Sequence, residues 1–514
     1  MRHPGVSDER LPNRPTMIES GVVVRSVSWA LIESMTLIFL SFVTLLVTAR
    51  LLGPADFGVA ATVIAVLGLL NTAVEGLFSE ALVQRAAIDD EHVDAAVWAA
   101  LGIAVGLVMI CWSIAEPAAA LYGEQRMAPL LRVGSFGLLF SGYGGVQSAL
   151  IRRAFGFRHL MMRTMVARLT SCALALLLAF NGYGPWSLIA QYLGATIMGS
   201  AALWYWSSRR PSRLPHVVPL RELWNFAGPW LANELVQVNL AKLYQALAAY
   251  LFGPYQYGLL GISFRITETI RDLLVNVANN VGLPVFARVQ HDPHSLARHY
   301  IAATSTLCVV ALPCFAGLTI CAPTIVAAIL GDAWLPAVPL IQILALGTSV
   351  AFTSNLIYTV FSAIGRPRAV FPLSVIEMVV SVALLFGLSG MGIAAASIAW
   401  SLRQVLSALA LQTMCMRVLP LRPIDIIRAL GRPILLVVIV SAATWVANDV
   451  LLGGLRPVAR LAMLMPIAGL MQILGIALVR PDLIWMVMAQ FPVRKERIGV
   501  TRGPVIEHVK PRGI

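Results

Sequence analysis

Residues Leu51 to Gly58 read LLGPADFG and residues Leu251 to Gly258 read LFGPYQYG, two versions of one phrase standing 200 positions apart. Each copy follows one long apolar run and precedes another. A phrase recurring at that distance in the same relation to its neighbours marks a chain built from two related halves. Within each copy the Gly-Pro pair, Gly53 with Pro54 and Gly253 with Pro254, fixes a turn where one helix stops and the next starts. The trailing Gly58 and Gly258 let that second helix pack closely against a partner. Fainter echoes support the duplication: turns at Gly156 and Gly365, and NGYGPWSLIA at Asn181 to Ala190 beside SGMGIAAASI at Ser389 to Ile398.

The runs that flank the phrase need a hydrocarbon solvent. Of the 514 residues 58% are hydrophobic and 12% charged, and the mean hydropathy is +0.80; a soluble domain carries about 25% charged residues. Runs such as Leu31 to Val47, Leu101 to Ala115 and Ile434 to Val446 are read as parts of membrane spans, which take about 20 residues each. The expected fold is an all-α polytopic membrane protein with about 14 transmembrane helices. The spans fall near 26–49, 57–83, 93–120, 127–150, 161–181, 184–207, 225–252, 257–284, 299–330, 336–364, 369–388, 392–415, 434–451 and 459–479. Six spans separate the two copies, so the halves are expected to be parallel repeats around a central cavity, followed by two additional helices. The expected organisation is a tail over 1–25, a first six-helix bundle over 26–207 and a linker over 208–224. A second bundle over 225–416, the extra pair over 434–479 and a basic tail over 480–514 complete it.

Charge sets the expected orientation. With both termini inside, most of the 38 Lys and Arg fall in the tails and in connections on one side, including Arg152, Arg153, Arg288, Arg298, Arg417 and Arg428. Five (Arg50, Arg126, Arg132, Arg456, Arg460) fall on the other. The positive-inside rule then predicts a multi-pass protein of the bacterial inner membrane with cytoplasmic termini and both Gly-Pro turns at the outer side. The polar first 25 residues contain no short apolar core ending in a cleavage site, so no removable signal peptide is expected.

The net charge of +13 is spread over short loops facing an anionic leaflet and forms no aromatic-basic patch, so no nucleic-acid partner is expected. His291, His294 and His299 have no Cys or carboxylate cluster to complete a metal site, and the six Cys lie in apolar spans as packing residues. No metal or cofactor is therefore expected. The outer connections are too short to hold a sugar-transferring site, and no G-x-x-x-x-G-K-[ST] phosphate cradle occurs, which disfavours an enzyme or an ATP-driven pump.

Polar residues inside the spans carry the functional signal, because a charge at the bilayer centre costs about 2.5 to 3.5 kcal/mol unless it meets a cavity or a partner. Arg265, Glu268, Asp272, Asn276 and Asn279 are spaced along one face of a helix, with Arg271 beside it. Glu234, Gln237 and Gln245 share a face with Lys242 alongside, and Glu33, Thr36, Thr44 and Thr48 form a third stripe. Glu377 and Arg403 are isolated charges near mid-membrane. A structural reading pairs Lys242 with Glu268, or Arg265 with Asp272 through an intermediate group. For the whole set the expectation is a water-filled cavity between the halves, in which Arg265, Arg271 and Lys242 favour an anionic substrate.

The patterns TARLLGPADFGVAATVIAVLGLL, SEALVQR, LFGPYQYGLLGISFRI and VGLPVFARVQHDPHSLARHY resemble the bacterial polysaccharide transporter family of exopolysaccharide and O-antigen flippases. That family sits in the superfamily that also holds multidrug/cation antiporters and lipid II flippases. The resemblance covers roughly residues 20 to 420. It implies two six-helix bundles forming a V-shaped cavity, alternating access, and transport of an undecaprenyl-pyrophosphate-linked oligosaccharide to the periplasmic leaflet for exopolysaccharide, capsule or lipopolysaccharide synthesis. Implied partners are that anionic lipid-linked oligosaccharide and membrane lipids, with polysaccharide polymerase and export machinery as candidates. Cavity cations of such flippases are thought to meet the pyrophosphate; Arg265 and Arg271 match best, with Lys242, Arg403 and Arg25 as further candidates. Glu33, Glu234, Glu268, Asp272 and Glu377 are the candidates for coupling to an ion or proton. Two alternatives stay open: a multidrug antiporter on the same fold, and a scaffold for a glycan-synthesis complex.

Overall fold

The computed structural model describes the backbone of residues 20–76, 79–84, 88–154, 156–207, 217–452 and 454–479, with side chains from residue 40 in the first helix and from residue 240 in the eighth. Residues 1–19 of the expected first tail, the C-terminal tail, most of the expected linker, and the side chains of Arg25, Glu33 and Glu234 lie outside the described residues.

No strand occurs among the described residues. The first half comprises α1 (Ser20–Gly76), α2 (Ser79–Gln84), α3 (Asp90–Leu121), α4 (Met127–Ser135), α5 (Gly137–Arg153), α6 (Phe157–Phe180) and α7 (Trp186–Trp206). The second comprises α8 (Val217–Arg288), α9 (Pro293–Ile325), α10 (Val338–Phe352), α11 (Leu356–Ala363), α12 (Phe371–Leu388) and α13 (Ile393–Val418). The appended pair is α14 (Pro423–Trp445) and α15 (Pro457–Val479). Nine helical stretches among the described residues are long and apolar enough to cross a membrane, so the chain is a multi-pass, all-helical membrane protein. The fuller count of fourteen stays an expectation. Several expected spans are polar enough to fall short on apolarity alone, α8 above all.

The repeated phrase bends both long helices at the same place. α1 turns at Gly53, with φ 70° and ψ 172°, and α8 turns at Gly253, with φ 79° and ψ 164°. That corner of φ/ψ space admits only glycine at ordinary cost, and the prolines that follow have their φ already set for the helix that resumes. The fourth run of each half is also broken in the same way, α4 giving way to α5 at Phe136 and α10 to α11 over Thr353 to Asn355.

α1 and α8 lie side by side and join the halves. A Cβ built on Gly58 would stand 1.8 Å from the Pro254 carbonyl oxygen, and one on Gly258 would stand 2.1 Å from that of Pro54. The two copies of the phrase therefore meet backbone to backbone, each glycine against the other half's proline. Around them Trp334 donates to the Ala49 carbonyl at 3.2 Å and packs edge-on to Phe57, with ring centroids 5.5 Å apart. Arg50 reaches the Ile329 carbonyl at 3.1 Å, and Tyr122 the Ala246 carbonyl at 3.3 Å. A single apolar core holding Phe57, Tyr257, Phe264, Trp334 and Trp400 runs through this junction. Nearby, Arg126 bridges Asp56 at 2.7 Å and Glu124 at 2.9 Å, and this guanidinium holds the Glu124 carboxyl below the usual carboxylate range.

The appended helices pack on the second half. Ser305 donates to the Ala429 carbonyl at 3.0 Å and Thr324 to Asn448 at 2.9 Å, both pairs 124 positions apart, so α9 and α14 run parallel in constant register. α15 is tied to α9 by Gln472, which donates to the Val309 carbonyl at 2.9 Å.

Candidate functional site

Away from the Gly-Pro junction the arms of α1 and α8 leave room between them, and α6 closes one wall. The resulting cavity, about 450 Å³, is lined by Ser41, Phe42 and Leu45 of α1, by Thr164 and Arg168 of α6, and by Arg265, Thr269, Asp272, Leu273 and Asn276 of α8. Both halves contribute, because α1 and α6 belong to the first and α8 to the second. Two guanidiniums against one carboxylate leave the lining net cationic.

The helical spacing of α8 delivers this arrangement: Arg265, Asp272 and Asn276 come to the cavity, as positions seven and four apart share a face. Neither the Arg168 nor the Arg265 guanidinium makes a hydrogen bond or ion pair among the described residues. Cations left unpaired in a polar cavity are poised for an anion, and guanidinium presents a planar fork that matches phosphate oxygens. Thr164, Thr269 and Asn276 add hydrogen-bonding groups, while Phe42 and Leu45 give the cavity one apolar wall.

Arg271 is half-buried and donates to its neighbour Asp272 at 2.9 Å, a local pair between consecutive residues. Glu268 is half-buried on the same helix and forms no hydrogen bond or ion pair with Lys242 or Arg265 among the described residues; Asn279 lies outside the described side chains. Lys242 points to the other half: its ammonium donates to the Gly68 carbonyl at 2.8 Å and to Thr72 at 3.0 Å, and its stem lies 3.4 Å from where a Gly68 Cβ would sit. It ties the arms of α1 and α8 together at mid-helix. Thr44 and Thr48 are buried and return their hydroxyls to backbone carbonyls of their own helix. Gln245 accepts from Tyr257 at 3.4 Å.

Glu377 and Arg403 form a separate centre inside the second half. They pair at 3.0 Å with each residue 8% exposed. Ser407 and Tyr358 also donate to Glu377, and the Arg403 guanidinium lies 4.2 Å from the Trp400 ring centroid. An enclosed ion pair of this kind, with only the Arg403 Nε left without a hydrogen-bond partner among the described residues, holds α12 to α13 and stands apart from the cavity lining.

Arg168 is the residue that sequence reading did not single out. It sits in the run RTMVARLTSCALALLLAF, where Arg158 and Arg163 already mark the basic end of a span, and it reads there as one more flanking charge. The signal was present: Arg168 lies a turn deeper than Arg163, whose guanidinium is taken up by Ser148 at 3.1 Å and Glu75 at 3.8 Å. No group of His, Cys, Asp and Glu able to hold a metal occurs among the described residues. All six cysteines are free, five of them buried and Cys314 exposed.

Residues 47–339 match the family described as polysaccharide biosynthesis protein. The succinoglycan biosynthesis transport protein ExoT of Rhizobium meliloti (strain 1021) is 25% identical over 357 residues, covering 69% of this chain and 72% of its own. The lipopolysaccharide biosynthesis protein WzxC of Escherichia coli (strain K12) is 20% identical over 360 residues, with the same 69% and 72% coverage. Among solved structures, the lipid II flippase MurJ in an inward closed conformation superposes with a TM-score of 0.73 at 14% identity, covering 88% of this chain and 99% of its own. At that identity the likeness shows the fold.

Proposed function

The chain belongs to the polysaccharide biosynthesis protein family, and from that premise we propose that it flips an anionic, lipid-linked oligosaccharide across the membrane. The observation that carries the reading is the pair of unpartnered guanidiniums, Arg168 and Arg265, on a polar cavity built by both halves. The relatives' names point the same way, as ExoT is named a succinoglycan biosynthesis transport protein and MurJ a lipid II flippase.

The geometry supports a physical division of labour. A charged, hydroxyl-rich headgroup cannot cross hydrocarbon without a polar path, whereas its prenyl tail has no reason to leave the lipid. The headgroup enters the cavity from the arginine-rich end, which the positive-inside rule assigns to the cytoplasm of a bacterial inner membrane. Arg168 and Arg265 bind the pyrophosphate, one from each half, while Thr164, Thr269 and Asn276 contact the first sugar. Release on the far side requires the Gly58 and Gly258 junction to open as the cytoplasmic arms close. The inside-negative potential drives an anionic headgroup outward by about 2.3 kcal/mol per charge per 100 mV. Polysaccharide polymerase and export machinery are the partners that would consume the product.

Complementation of a flippase-null, exopolysaccharide-deficient strain tests this. The wild-type gene is expected to restore polymer, and Arg168→Ala and Arg265→Ala are each expected to restore at least about tenfold less, the range of one lost charge-assisted hydrogen bond to phosphate. Full restoration by both variants at equal expression would remove the anion assignment. No restoration by the wild type, together with resistance to cationic drugs, would favour the antiporter.

A further inference from the structure

Beyond the central cavity, the arginine-rich end carries a second cationic feature, between α9 and α14. Two adjoining hollows of about 570 and 410 Å³ share Arg298, Ile301, Arg428 and Ala429; the first extends to His294 and Asp425, the second to Arg432. The parallel register of these helices fixes the arrangement. Ser305 is bonded to Ala429, so Arg298, about two turns before Ser305, comes level with the start of α14, and Arg428 and Arg432 stand further along that helix, one turn apart, on the wall of the same groove.

All three arginines are exposed, and none of their guanidiniums makes a hydrogen bond or ion pair among the described residues. Of the carboxylates at this end, Asp425 lines the first hollow and is engaged with the backbone N–H of Arg422 at 3.0 Å, closing the start of α14, and Asp292 caps α9 by accepting from the backbone N–H of His294 at 3.0 Å. His294 is exposed at the same rim. Three like charges lining one groove, two of them a single turn apart on α14, repel one another, an arrangement that a counter-anion relieves.

The surroundings say what kind of anion. Immediately beside the arginines α14 exposes Ile424 (44%), Ile427 (63%), Ile434 (51%) and Leu435 (59%), an apolar flank left uncovered by the described residues. A soluble phosphate would satisfy the arginines and leave that flank bare. An amphiphile satisfies both, its phosphate in the hollow and its acyl chains along α14. Basic pockets between membrane helices on the cytoplasmic side are suited to anionic headgroups.

We propose that the α9–α14 groove is a binding site for an anionic phospholipid of the cytoplasmic leaflet, held by Arg298, Arg428 and Arg432. A diphosphatidyl headgroup, with two phosphates, matches two adjoining hollows better than a single phosphate does. The site gives the appended helices a role in fastening the second half to its annular lipid. It is independent of the transported substrate.

Full-length protein in detergent, titrated with cardiolipin, phosphatidylglycerol, phosphatidylcholine or inorganic phosphate, tests the site by thermal shift and by native mass spectrometry. Cardiolipin is expected to raise the melting temperature and remain bound, phosphatidylcholine to do neither. At about 1 kcal/mol per basic residue, each Arg→Gln change should weaken cardiolipin binding about fivefold, and R298Q/R428Q/R432Q should abolish saturable binding. The charge-retaining R298K/R428K/R432K should keep most of it. Arg456→Gln, at the far end of α14 and α15, controls for net charge. Inorganic phosphate stabilising as well as cardiolipin does, or undiminished cardiolipin binding by the Gln triple variant, would overturn the proposal. If the triple variant fails to fold, the single variants are read instead, and equal binding by all three overturns it likewise.

Discussion

Arg168, Arg265, Lys242 and Arg403 are four cations inside apolar helices, and the structure gives them three different fates. Arg168 and Arg265 face a cavity, Lys242 is consumed by a backbone carbonyl of the opposite half, and Arg403 is enclosed with Glu377. Only the first fate suits a ligand. The buried pair makes its own prediction: Arg403→Met or Glu377→Leu alone strands one charge in a low-dielectric interior and should destabilise by about 3 to 5 kcal/mol. The double variant should recover most of that loss, because two apolar side chains leave no charge unpaired. Thermal denaturation in detergent reads the cycle, and an additive double variant would show that the two residues act separately. Sequence alone flagged Glu377 and Arg403 as isolated charges because their partnership joins two helices. In the same way nothing in the sequence reveals that Lys242 reaches Gly68, 174 positions away. The stripe on α8 was legible because helical periodicity is a local property. Arg168 was not, because depth in the membrane within a basic stretch is not.

At the scale of elements, the two kinked helices carry the design. Gly53→Ala and Gly253→Ala each place a methyl group in a backbone region that tolerates none, and each should cost about 1 to 3 kcal/mol in thermal stability. Gly58→Ala and Gly258→Ala meet a different obstacle, the proline carbonyl of the other half, so their effect should depend on conformation and appear as a change in how the halves sit. The Arg126 clamp on Asp56 and Glu124 gives a pH signature at the same end. The carboxyl of Glu124 is lowered in the folded state, so its contribution is present above its ordinary value and is lost as pH falls through the lowered one. Acid melting profiles of Arg126→Gln should lack that component and otherwise match the wild type. The Gly-Pro turns themselves were readable from sequence, since glycine and proline punctuate locally. That Gly58 would touch Pro254 was not, because it is a fact about how two distant turns pack.

For the molecule as a whole, closure at the Gly-Pro end is buttressed by the apolar core around the two turns. Trp334 is its largest fully buried side chain, bonded to Ala49 across the halves. Trp334→Ala should loosen that closure. Spin labels at Leu51 and Tyr255, both exposed, in a background with Cys314 replaced by Ser, would report a longer or broader distance distribution; an unchanged one would mean that the junction does not depend on Trp334. The duplication, the helical class and the two-half plan could be read from composition and one repeated phrase. The cavity could be located only once α6 was seen to supply its third wall.

The meeting of Gly58 with Pro254 and of Gly258 with Pro54 leaves no interlocking side chains at the centre of that junction. Two surfaces of bare backbone can part without any rotamer changing, so separation there meets little steric friction and does not proceed residue by residue. Such a seam works like the bearing of a pair of tongs, compact and smooth, while the arm it carries on α8 rises about 10 Å from Gly258 to Arg265 at 1.5 Å per residue. An angular change of about ten degrees at the seam becomes roughly 2 Å at Arg265.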